Sequence, residues 1–240
     1  MYHTVVIGGG CLGAATAISV QRKLNESGKG GKVCLLDKAV LCAAESSRHS
    51  GIVRSANADP DASIMASLST NMWKNLEKQW GKSMEIDPFG AIWIAKKNSD
   101  GENPAWNELS ERMKKIDLVF EEITAKSATD KCGDTLITDK DESYYYEPEA
   151  FQLDPSILRS VLYDAIDINK VELFEKTEVD GILTNGNKIV SCTTNNGKFD
   201  AKNFVNATGA WSAQLFSKIG LKIPVTIEPV SVVNWMESPR

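Results

Sequence analysis

The apolar positions at the start of the chain follow a strand–helix–strand pattern. Val5–Ile7 form a short apolar run typical of a buried strand. Residues 27–31 read Ser-Gly-Lys-Gly-Gly, which is typical of a helix end and a turn, and residues 32–36 (Lys-Val-Cys-Leu-Leu) predict a second buried strand. The segment between the first run and this turn has helical spacing of its apolar residues, at Ala17, Ile18, Val20 and Leu24.

The middle of the chain is expected to alternate helices with strands. Residues 60–80 predict a helix, residues 89–95 a buried strand and residues 106–116 a second amphipathic helix. Tyr144–Tyr146 favour a strand edge or surface packing, with an aromatic wall facing a substrate as the alternative. The helix over 60–80 carries an apolar stripe that we expect to pack in the core, made of Ile64, Leu68, Met72, Trp73 and Leu76.

The last third of the chain predicts one helix and then short strands. Asp154 and Pro155 are typical of the N-cap and first turn of a helix, which we expect over residues 156–166. Asn185-Gly186 and Asn196-Gly197 are typical β-hairpin turns. The expected strands cover residues 171–174, 177–183, 188–193, 203–205 and 229–235.

Composition and charge narrow the class of protein. The 240 residues are 42% hydrophobic and 25% charged, as in an ordinary soluble globular protein. A net charge of −5 without a basic block argues against nucleic acid as a partner. No apolar run approaches the roughly 20 residues of a transmembrane segment. Five cysteines without a Cys-x-x-Cys pair favour a reducing compartment, so we expect a cytoplasmic protein, and two histidines make a metal site improbable.

The first turn of the chain has the spacing of a phosphate-binding loop. Gly8, Gly10 and Gly13 form Gly-x-Gly-x-x-Gly between the first strand and its helix. The first glycine allows a tight turn, the second lets a pyrophosphate approach the backbone, and the third lets the helix pack closely on the strand. Asp37, which lies 24 residues after Gly13 at the end of the second strand, is placed to bind an adenosine ribose. The alternative is that Asp37 only caps the next turn.

A loop rich in small and hydroxyl residues follows this acid. Residues 43–54 read Ala-Ala-Glu-Ser-Ser-Arg-His-Ser-Gly-Ile-Val-Arg. Small residues let a backbone run close to a bound group, and seryl hydroxyls can bind phosphate oxygens. The alternative is a serine-rich loop without a ligand.

Taken together, these segments resemble a known family. The glycine loop, Asp37, the segment 46–51, Leu153-Asp154-Pro155 and the strand end at residues 206–212 (Asn-Ala-Thr-Gly-Ala-Trp-Ser) occur in the order found in that family. From residue 4 to about residue 235, the chain is similar to the N-terminal part of the FAD-dependent oxidoreductases related to D-amino-acid oxidase, glycine oxidase and sarcosine oxidase.

The resemblance implies which residues contact FAD. The glycine loop would hold the pyrophosphate, and Asp37 would bind the ribose, where the family more often has Glu. Val179 would contact adenine through its backbone, and the strand end near Gly209 would close the site. The implied cofactor-binding set is Gly8, Gly10, Cys11, Leu12, Gly13, Asp37, Lys38, Ser46, Ser47, Arg48, His49, Val179, Ala207, Gly209 and Trp211.

Two further residues have open roles. In some amine-oxidising relatives a histidine of this loop carries the flavin covalently, whereas for His49 we favour a loop or non-covalent flavin contact. Arg54 is a candidate for binding a substrate carboxylate, because its guanidinium can bind two oxygens. The alternative is a solvated arginine or one on the pyrophosphate side. The sequence identifies no catalytic base.

The resemblance also implies an α/β fold with a Rossmann-like FAD-binding sheet and an inserted α+β substrate domain that contains an antiparallel sheet. We expect FAD-binding segments at residues 1–80 and 156–222, a substrate-domain part at 81–155, and a strand that enters that domain at 223–240.

The implied function is oxidation of a small amino acid, an N-methyl amine or a 2-hydroxy acid by hydride transfer to the flavin, with the electron acceptor left open. Family members are longer, and their C-terminal part supplies substrate-binding residues. The alternative is therefore a catalytically incomplete FAD-binding fragment or subunit, which needs a partner chain for its C-terminal half.

Overall fold

The computed structural model describes residues 1–57, 59–80, 83–86 and 89–229. The chain forms two compact units: Met1–Ser50 together with the chain from Pro155 onward, and Gly51–Asp154. The second unit is therefore inserted into the sequence of the first.

The described residues form six α-helices and eleven strands. The helices are α1 Cys11–Ser27, α2 Pro60–Trp80, α3 Pro104–Lys115, α4 Ala125–Cys132, α5 Pro155–Asn169 and α6 Ser212–Ser217. The strands are β1 Tyr2–Ile7, β2 Val33–Leu36, β3 Ile52–Val53, β4 Ala91–Lys96, β5 Glu121–Ile123, β6 Glu142–Glu147, β7 Phe151–Gln152, β8 Glu172–Phe174, β9 Val179–Asn185, β10 Lys188–Thr194 and β11 Gly197–Asn206.

The first unit is built on a mixed six-stranded sheet with the order β8-β2-β1-β11-β10-β9. The strands β8, β2, β1 and β11 are parallel, and the apolar runs of β1 and β2 are buried as expected for the centre of a parallel sheet. The remaining strands continue the sheet as an antiparallel meander, so the predicted Asn-Gly hairpin turns are confirmed. Helix α1 ends at Gly28, whose φ of 65° is the left-handed conformation of a glycine C-cap.

The strand order creates a switch point at β1. The chain leaves β1 through α1 to β2 on one side, whereas β11 pairs with the other side of β1. In open α/β sheets, ligands bind outside the carboxyl ends of the strands at such a point. The carboxyl ends here are Ile7, Leu36 and Asn206.

The second unit contains an antiparallel sheet with the order β4-β6-β5. Its central strand carries Tyr144 and Tyr145, which are buried. The expectation of a strand edge or surface packing for the three tyrosines was therefore wrong. A run of three tyrosines does not reveal that their strand, β6, is paired with β4 on one side and β5 on the other. Tyr145 stacks on Phe120 and Trp106 in an aromatic cluster.

A buried carboxylate joins the sheet of the second unit to the segment that follows β3. Glu147 is 1% exposed and accepts hydrogen bonds from the backbone N–H groups of Ser55 and, at 3.1 Å, of Ala56. The indole N–H of Trp93 donates to the other carboxylate oxygen at 3.1 Å. Three neutral donors thus satisfy this carboxylate.

Helix α2 has the predicted bounds but the opposite orientation. The expectation that its apolar stripe packs in the core was wrong, because Leu68 and Met72 are 61% and 62% exposed. The buried face carries Ser63 and Thr70 instead, seven positions apart in the sequence. Thr70 Oγ1 lies 3.3 Å from Ser55 Oγ, and the N–H of Asn57 donates to Ser63 Oγ at 3.1 Å. Hydrogen bonds from two small polar residues therefore set the inward face.

The units differ from the expected domains at two places, because the first boundary follows Ser50 and residues 223–229 belong to the first unit. The expected boundary after residue 80 lies within the second unit, because β3 pairs with β7 at residues 151–152 and α2 packs on the segment after β3. Residues 223–229 do not form the expected strand. Residues 230–240 lie outside the described part of the chain, and so does most of the strand expected at 229–235. Within the described residues, no helix combines the length and apolar character needed to cross a membrane.

Candidate functional site

A cavity of about 840 Å³ lies at the switch point of the first unit. Its walls include the ends of three parallel strands, at Ile7-Gly8, Leu36-Asp37 and Asn206-Ala207. The start of α1, most of the loop over residues 43–48, the start of β9 and residues between 208 and 218 also line it. The volume falls within the range of small-molecule and cofactor sites.

The glycine loop forms the floor of this cavity. Gly8 has a φ of +107°, and a Cβ there would overlap the carbonyl oxygen of Ala207. A Cβ at Gly13 would overlap the carbonyl oxygen of Gly8, so α1 can pack against the turn only with glycine at this position. A Cβ at Gly10 would meet Ser46 Oγ at 3.1 Å, a contact that a side-chain rotation can relieve. Gly8 and Gly13 are therefore needed for the conformation and packing of the turn, whereas Gly10 leaves room for a ligand in the cavity.

The N-terminus of α1 faces the cavity. Gly10 is the N-cap and supplies no side chain to the N–H groups of the first turn. The N–H of Cys11 donates to Ser46 Oγ at 3.0 Å. Unpaired N–H groups and the positive end of the helix dipole make such a terminus a binding site for anions. The hydroxyl of Ser46 thus marks where an anionic oxygen can be bound.

Asp37 lies at the end of β2 and lines the same cavity. One carboxylate oxygen accepts a hydrogen bond from the Gly9 N–H at 2.6 Å, and the other accepts one from the Ala39 N–H at 2.7 Å. Asp37 therefore caps the next turn, which was the alternative interpretation of this residue. This role does not exclude ligand binding, because a carboxylate can accept about four hydrogen bonds.

The opposite wall carries an aromatic ring and two lysines. Lys38 Nζ lies 3.5 Å from the ring centroid of Trp211, which is within the range of a cation–π contact. Lys218 Nζ donates to the backbone oxygen of Asp180 at 2.6 Å. Val179 begins β9 beside them and also lines the cavity. This wall can present a planar apolar surface with positive charge at its edge.

Two cysteines meet beside the helix N-terminus. The thiol of Cys42 donates a hydrogen bond to Cys11, which lowers the pKa of Cys11 to about 6. The Ser46 hydroxyl and the nearby His49 contribute in the same direction. The same hydrogen bond, together with burial, raises the pKa of Cys42. The contact thus favours the thiolate form of Cys11 and the protonated form of Cys42.

The structure brings most of the predicted cofactor residues together. Gly13, Ser47 and His49 do not line the cavity, and His49 is exposed with Nε2 3.1 Å from the Ser46 carbonyl oxygen. Arg54 belongs to the second unit, where it lies 4.3 Å from the ring centroid of Trp93 and donates to the Ala56 oxygen. The predicted residues that line the cavity are Gly8, Gly10, Cys11, Leu12, Asp37, Lys38, Ser46, Arg48, Val179, Ala207, Gly209 and Trp211.

Sequence reasoning missed several lining residues. Thr208 and Ser212 lie within a motif that had been recognised, and their hydroxyl groups both bond to Asn206 Oδ1. Their polar character next to the motif glycine was the signal that could have identified them. Thr177, Glu178 and Asp180, which flank the predicted Val179, gave no such signal, because only sheet pairing brings them to the cavity. The missed residues with polar side chains are Glu45, Thr177, Glu178, Asp180, Asn206, Thr208, Ser212, Gln214 and Lys218.

The fold and the cavity define a nucleotide-binding protein of the Rossmann type. A dinucleotide fits the residues present, because a helix N-terminus whose N-cap is a glycine faces a cavity that also contains a strand-end carboxylate. The family model described as "DAO: FAD dependent oxidoreductase" matches residues 3–239. The chain therefore belongs to the family of DAO-type FAD-dependent oxidoreductases, whose cofactor is FAD.

Individual relatives agree with this family. The chain is 24% identical over 236 residues to a glycine oxidase from Pseudomonas putida, across 95% of this chain and 60% of the relative. The structure of L-proline dehydrogenase from P. horikoshii matches with a TM-score of 0.81 and 23% identity, over 95% of this chain and 58% of that one. L-amino acid deaminase from Proteus vulgaris matches with a TM-score of 0.79 and 20% identity, over 93% and 51%. The chain thus spans about half to three fifths of the length of these proteins.

Proposed function

We propose that the first unit binds FAD in its cavity, with the pyrophosphate at the N-terminus of α1. The observation that carries this proposal is the N-terminus of α1 at the switch point, where the N-cap Gly10 has no side chain and the Ser46 hydroxyl accepts the N–H of Cys11. Asp37 would bind the adenosine ribose with the lone pairs that Gly9 and Ala39 leave free. Val179 would contact the adenine.

The remaining cofactor residues have supporting roles in this proposal. Gly8 and Gly13 shape the turn, and Leu12 covers the pyrophosphate from the first turn of α1. Arg48 would add positive charge on the pyrophosphate side. The far wall would be formed by Lys38, Ala207, Gly209 and Trp211. Ser47 and His49, which do not line the cavity, would act by supporting the loop that carries Ser46.

The proposed activity is the oxidation of a small amino acid or N-methyl amine, with a 2-hydroxy acid as the third substrate class. When bound, FAD supplies the group that accepts a hydride from a C–H bond next to nitrogen or oxygen. The chain's own residues fix the position of the cofactor and exclude water from its phosphates. The named activities of the three relatives, all on amino acids, support this substrate class. Five free cysteines support a cytoplasmic location.

A second candidate function is an FAD-binding fragment or subunit whose catalytic site is completed by further chain or by a partner. The observation that favours it is the share of each relative that this chain spans, which is 60% of the glycine oxidase and 51% of the deaminase. In this case the cavity would bind FAD, and substrate oxidation would require the added part.

Absorption spectroscopy separates the two candidates. The purified chain is reconstituted with FAD, and excess cofactor is removed. Anaerobic addition of glycine, L-proline, sarcosine or a 2-hydroxy acid then follows in separate cuvettes. A yellow chain that bleaches with one of these compounds supports the oxidoreductase. A yellow chain that bleaches with dithionite but with none of the substrates supports the fragment. A colourless chain that also fails to bind ADP in a calorimetric titration contradicts both.

A further inference from the structure

Asn206 is the last residue of β11 and lies beside the glycine loop. It pairs with Ile7 across the parallel strands, and the N–H of the next residue, Ala207, donates to the Ile7 carbonyl oxygen at 2.8 Å. A Cβ at Gly8 would overlap the Ala207 carbonyl oxygen, so the strand end and the first glycine of the loop are in direct contact. Asn206 itself is half-buried and lines the cavity. It is therefore a neighbour of the loop proposed to hold the pyrophosphate.

Three donors fix the oxygen of the Asn206 side-chain amide. Oδ1 accepts hydrogen bonds from the Thr208 N–H at 3.2 Å, from the Thr208 hydroxyl at 2.7 Å and from the Ser212 hydroxyl at 3.3 Å. A backbone N–H can only donate, so the amide atom that faces it is the oxygen and not the nitrogen. In a planar amide the nitrogen lies on the other side of Cγ. The three bonds therefore set the orientation of Nδ2 before any ligand binds.

The N–H groups of Asn206 differ from those of an asparagine on the same strand. Asn203 donates its amide N–H to the His3 carbonyl oxygen at 2.9 Å. Within the described part of the chain, Nδ2 of Asn206 has no protein acceptor, although half-buried polar groups usually have a partner. Gln214, whose amide side chain also belongs to a lining residue, is exposed. A fixed donor at the wall of a cavity is typical of a group that orients a ligand.

We propose that the Asn206 side-chain amide binds the nucleotide by donating a hydrogen bond to a pyrophosphate oxygen. The phosphate is the favoured acceptor because Asn206 is next to the glycine loop, and because a hydrogen bond to a charged oxygen is stronger than one to a neutral group. The inference rests on the proposed FAD site. It adds a donor from β11 to those at the N-terminus of α1.

Thr208 and Ser212 act as positioning residues for this bond. Their donors hold the amide oxygen, and the nitrogen is thereby directed without a loss of side-chain freedom when the ligand binds. The same bonds close the turn after β11, in which the Asn206 side chain binds the backbone two residues on. Asn206 thus has a structural role through its oxygen and, in this proposal, a binding role through its nitrogen.

Two substitutions of Asn206 separate these roles. Asn206→Ser removes the amide donor, whereas its hydroxyl oxygen can still accept the Thr208 N–H and close the turn. Asn206→Ala removes both the donor and the acceptor. Urea unfolding followed by circular dichroism measures stability, and calorimetric titration with ADP measures affinity. Asn203→Ser is the matched control, because Asn203 is on the same strand but does not line the cavity.

The affinity for ADP should not follow the stability of these variants. Both Asn206→Ser and Asn206→Ala should raise the dissociation constant of ADP by at least about tenfold, which is the lower range for a hydrogen bond to a charged group. The urea midpoint should fall clearly for Asn206→Ala and little for Asn206→Ser, and Asn203→Ser should bind ADP as the unaltered chain does. An affinity that is lost in Asn206→Ala but kept in Asn206→Ser would show a structural role alone and overturn the proposal.

The amide protons give a second readout. In a nitrogen–proton correlation spectrum, the side-chain amide pair that is missing from Asn206→Ser belongs to Asn206. ADP should move one proton signal of this pair downfield, because that proton enters a hydrogen bond to phosphate, while the Asn203 pair should stay in place. A chain that binds ADP without a shift of the Asn206 pair would overturn this proposal but not the proposed function. A chain that does not bind ADP would contradict both.

Discussion

The N–H of Gly9 donates to the carboxylate of Asp37 at 2.6 Å, and this hydrogen bond joins the turn after β1 to the end of β2. The two residues are 28 positions apart in the sequence. One carboxylate therefore fixes the glycine loop in position, in addition to the ribose-binding role proposed for it. Loss of Asp37 is expected to affect both stability and nucleotide binding.

Replacement of Asp37 by Ala should lower the free energy of unfolding by about 1–3 kcal/mol, because the Gly9 N–H loses its acceptor. Affinity for FAD and for ADP should fall by at least about tenfold, which equals 1.4 kcal/mol. Urea unfolding and calorimetric titration measure the two effects. Asp167→Asn is the control, since its side chain is 87% exposed and makes only a long ion pair with Lys170. An Asp37→Ala chain that binds ADP as tightly as the unaltered chain would contradict the ribose role.

The glycines of the loop should respond differently to alanine. Gly13→Ala places a methyl group against the Gly8 carbonyl, which is backbone and cannot rotate away, so we expect a loss of at least about 2 kcal/mol. Gly10→Ala meets only the Ser46 hydroxyl, so stability should change little while FAD affinity falls. Gly28→Ala is the control, because its Cβ would lie in open space and only its φ of +65° carries a cost of about 1 kcal/mol. Denaturant melts and FAD titrations of the three variants check this order.

The buried carboxylate of the second unit should be a stability determinant. Glu147→Ala leaves two backbone N–H groups and the Trp93 indole N–H without an acceptor, so the unfolding free energy should fall by at least about 2 kcal/mol. Glu147→Gln should cost less, because its amide oxygen can still serve the two backbone donors. Urea unfolding followed by circular dichroism measures both variants against Glu121→Gln, an exposed position on β5. Equal stability of all three variants would contradict the role of this carboxylate.

The reactivity of Cys11 should follow the lowered pKa of its thiol. Because the thiolate is the reactive form, alkylation by iodoacetamide should increase as the pH rises through about 6 and then level off. Cys192 should stay unmodified over the same range, because burial raises its pKa to about 11. Cys42→Ala removes the main donor to Cys11 and should move the midpoint to higher pH. Quantitative peptide mapping between pH 5 and pH 9 measures these rates. A shift of the midpoint by one pH unit would correspond to about 1.4 kcal/mol. A midpoint above pH 8 in the unaltered chain would show that the hydrogen bond does not stabilise the thiolate.

Local patterns predicted the first part of the fold well. The glycine loop and the Gly28 turn act over a few residues, and their conformations follow from the absence of a side chain. The Asn-Gly hairpins are equally local. These signals were sufficient to predict β1, α1, β2 and the meander, and to indicate a phosphate site at the first turn.

The missed features depend on partners that are distant in sequence. The apolar stripe of α2 suggested an inward face, yet Ser63 and Thr70 bond to the segment after β3 and turn that stripe outward. In the same way, Thr177, Glu178 and Asp180 beside the predicted Val179 reach the cavity only because β9 pairs with β10 and β10 with β11. Periodicity reports where a helix is amphipathic but not which of its faces finds a hydrogen-bonding partner.

The pairing of β1 with β11 also dictates an order of assembly. Tyr2 pairs with Ala201 and Ile7 with Asn206, so the first strand acquires this neighbour only after roughly 200 further residues have been synthesised. The contiguous segment from Gly51 to Asp154 can meanwhile complete its own contacts on the ribosome. Pairings of such long sequence separation form slowly and leave an apolar strand edge exposed until they do. The nucleotide cavity is therefore expected to be among the last parts of the protein to form, and the newly made chain to depend on protection of β1 until then.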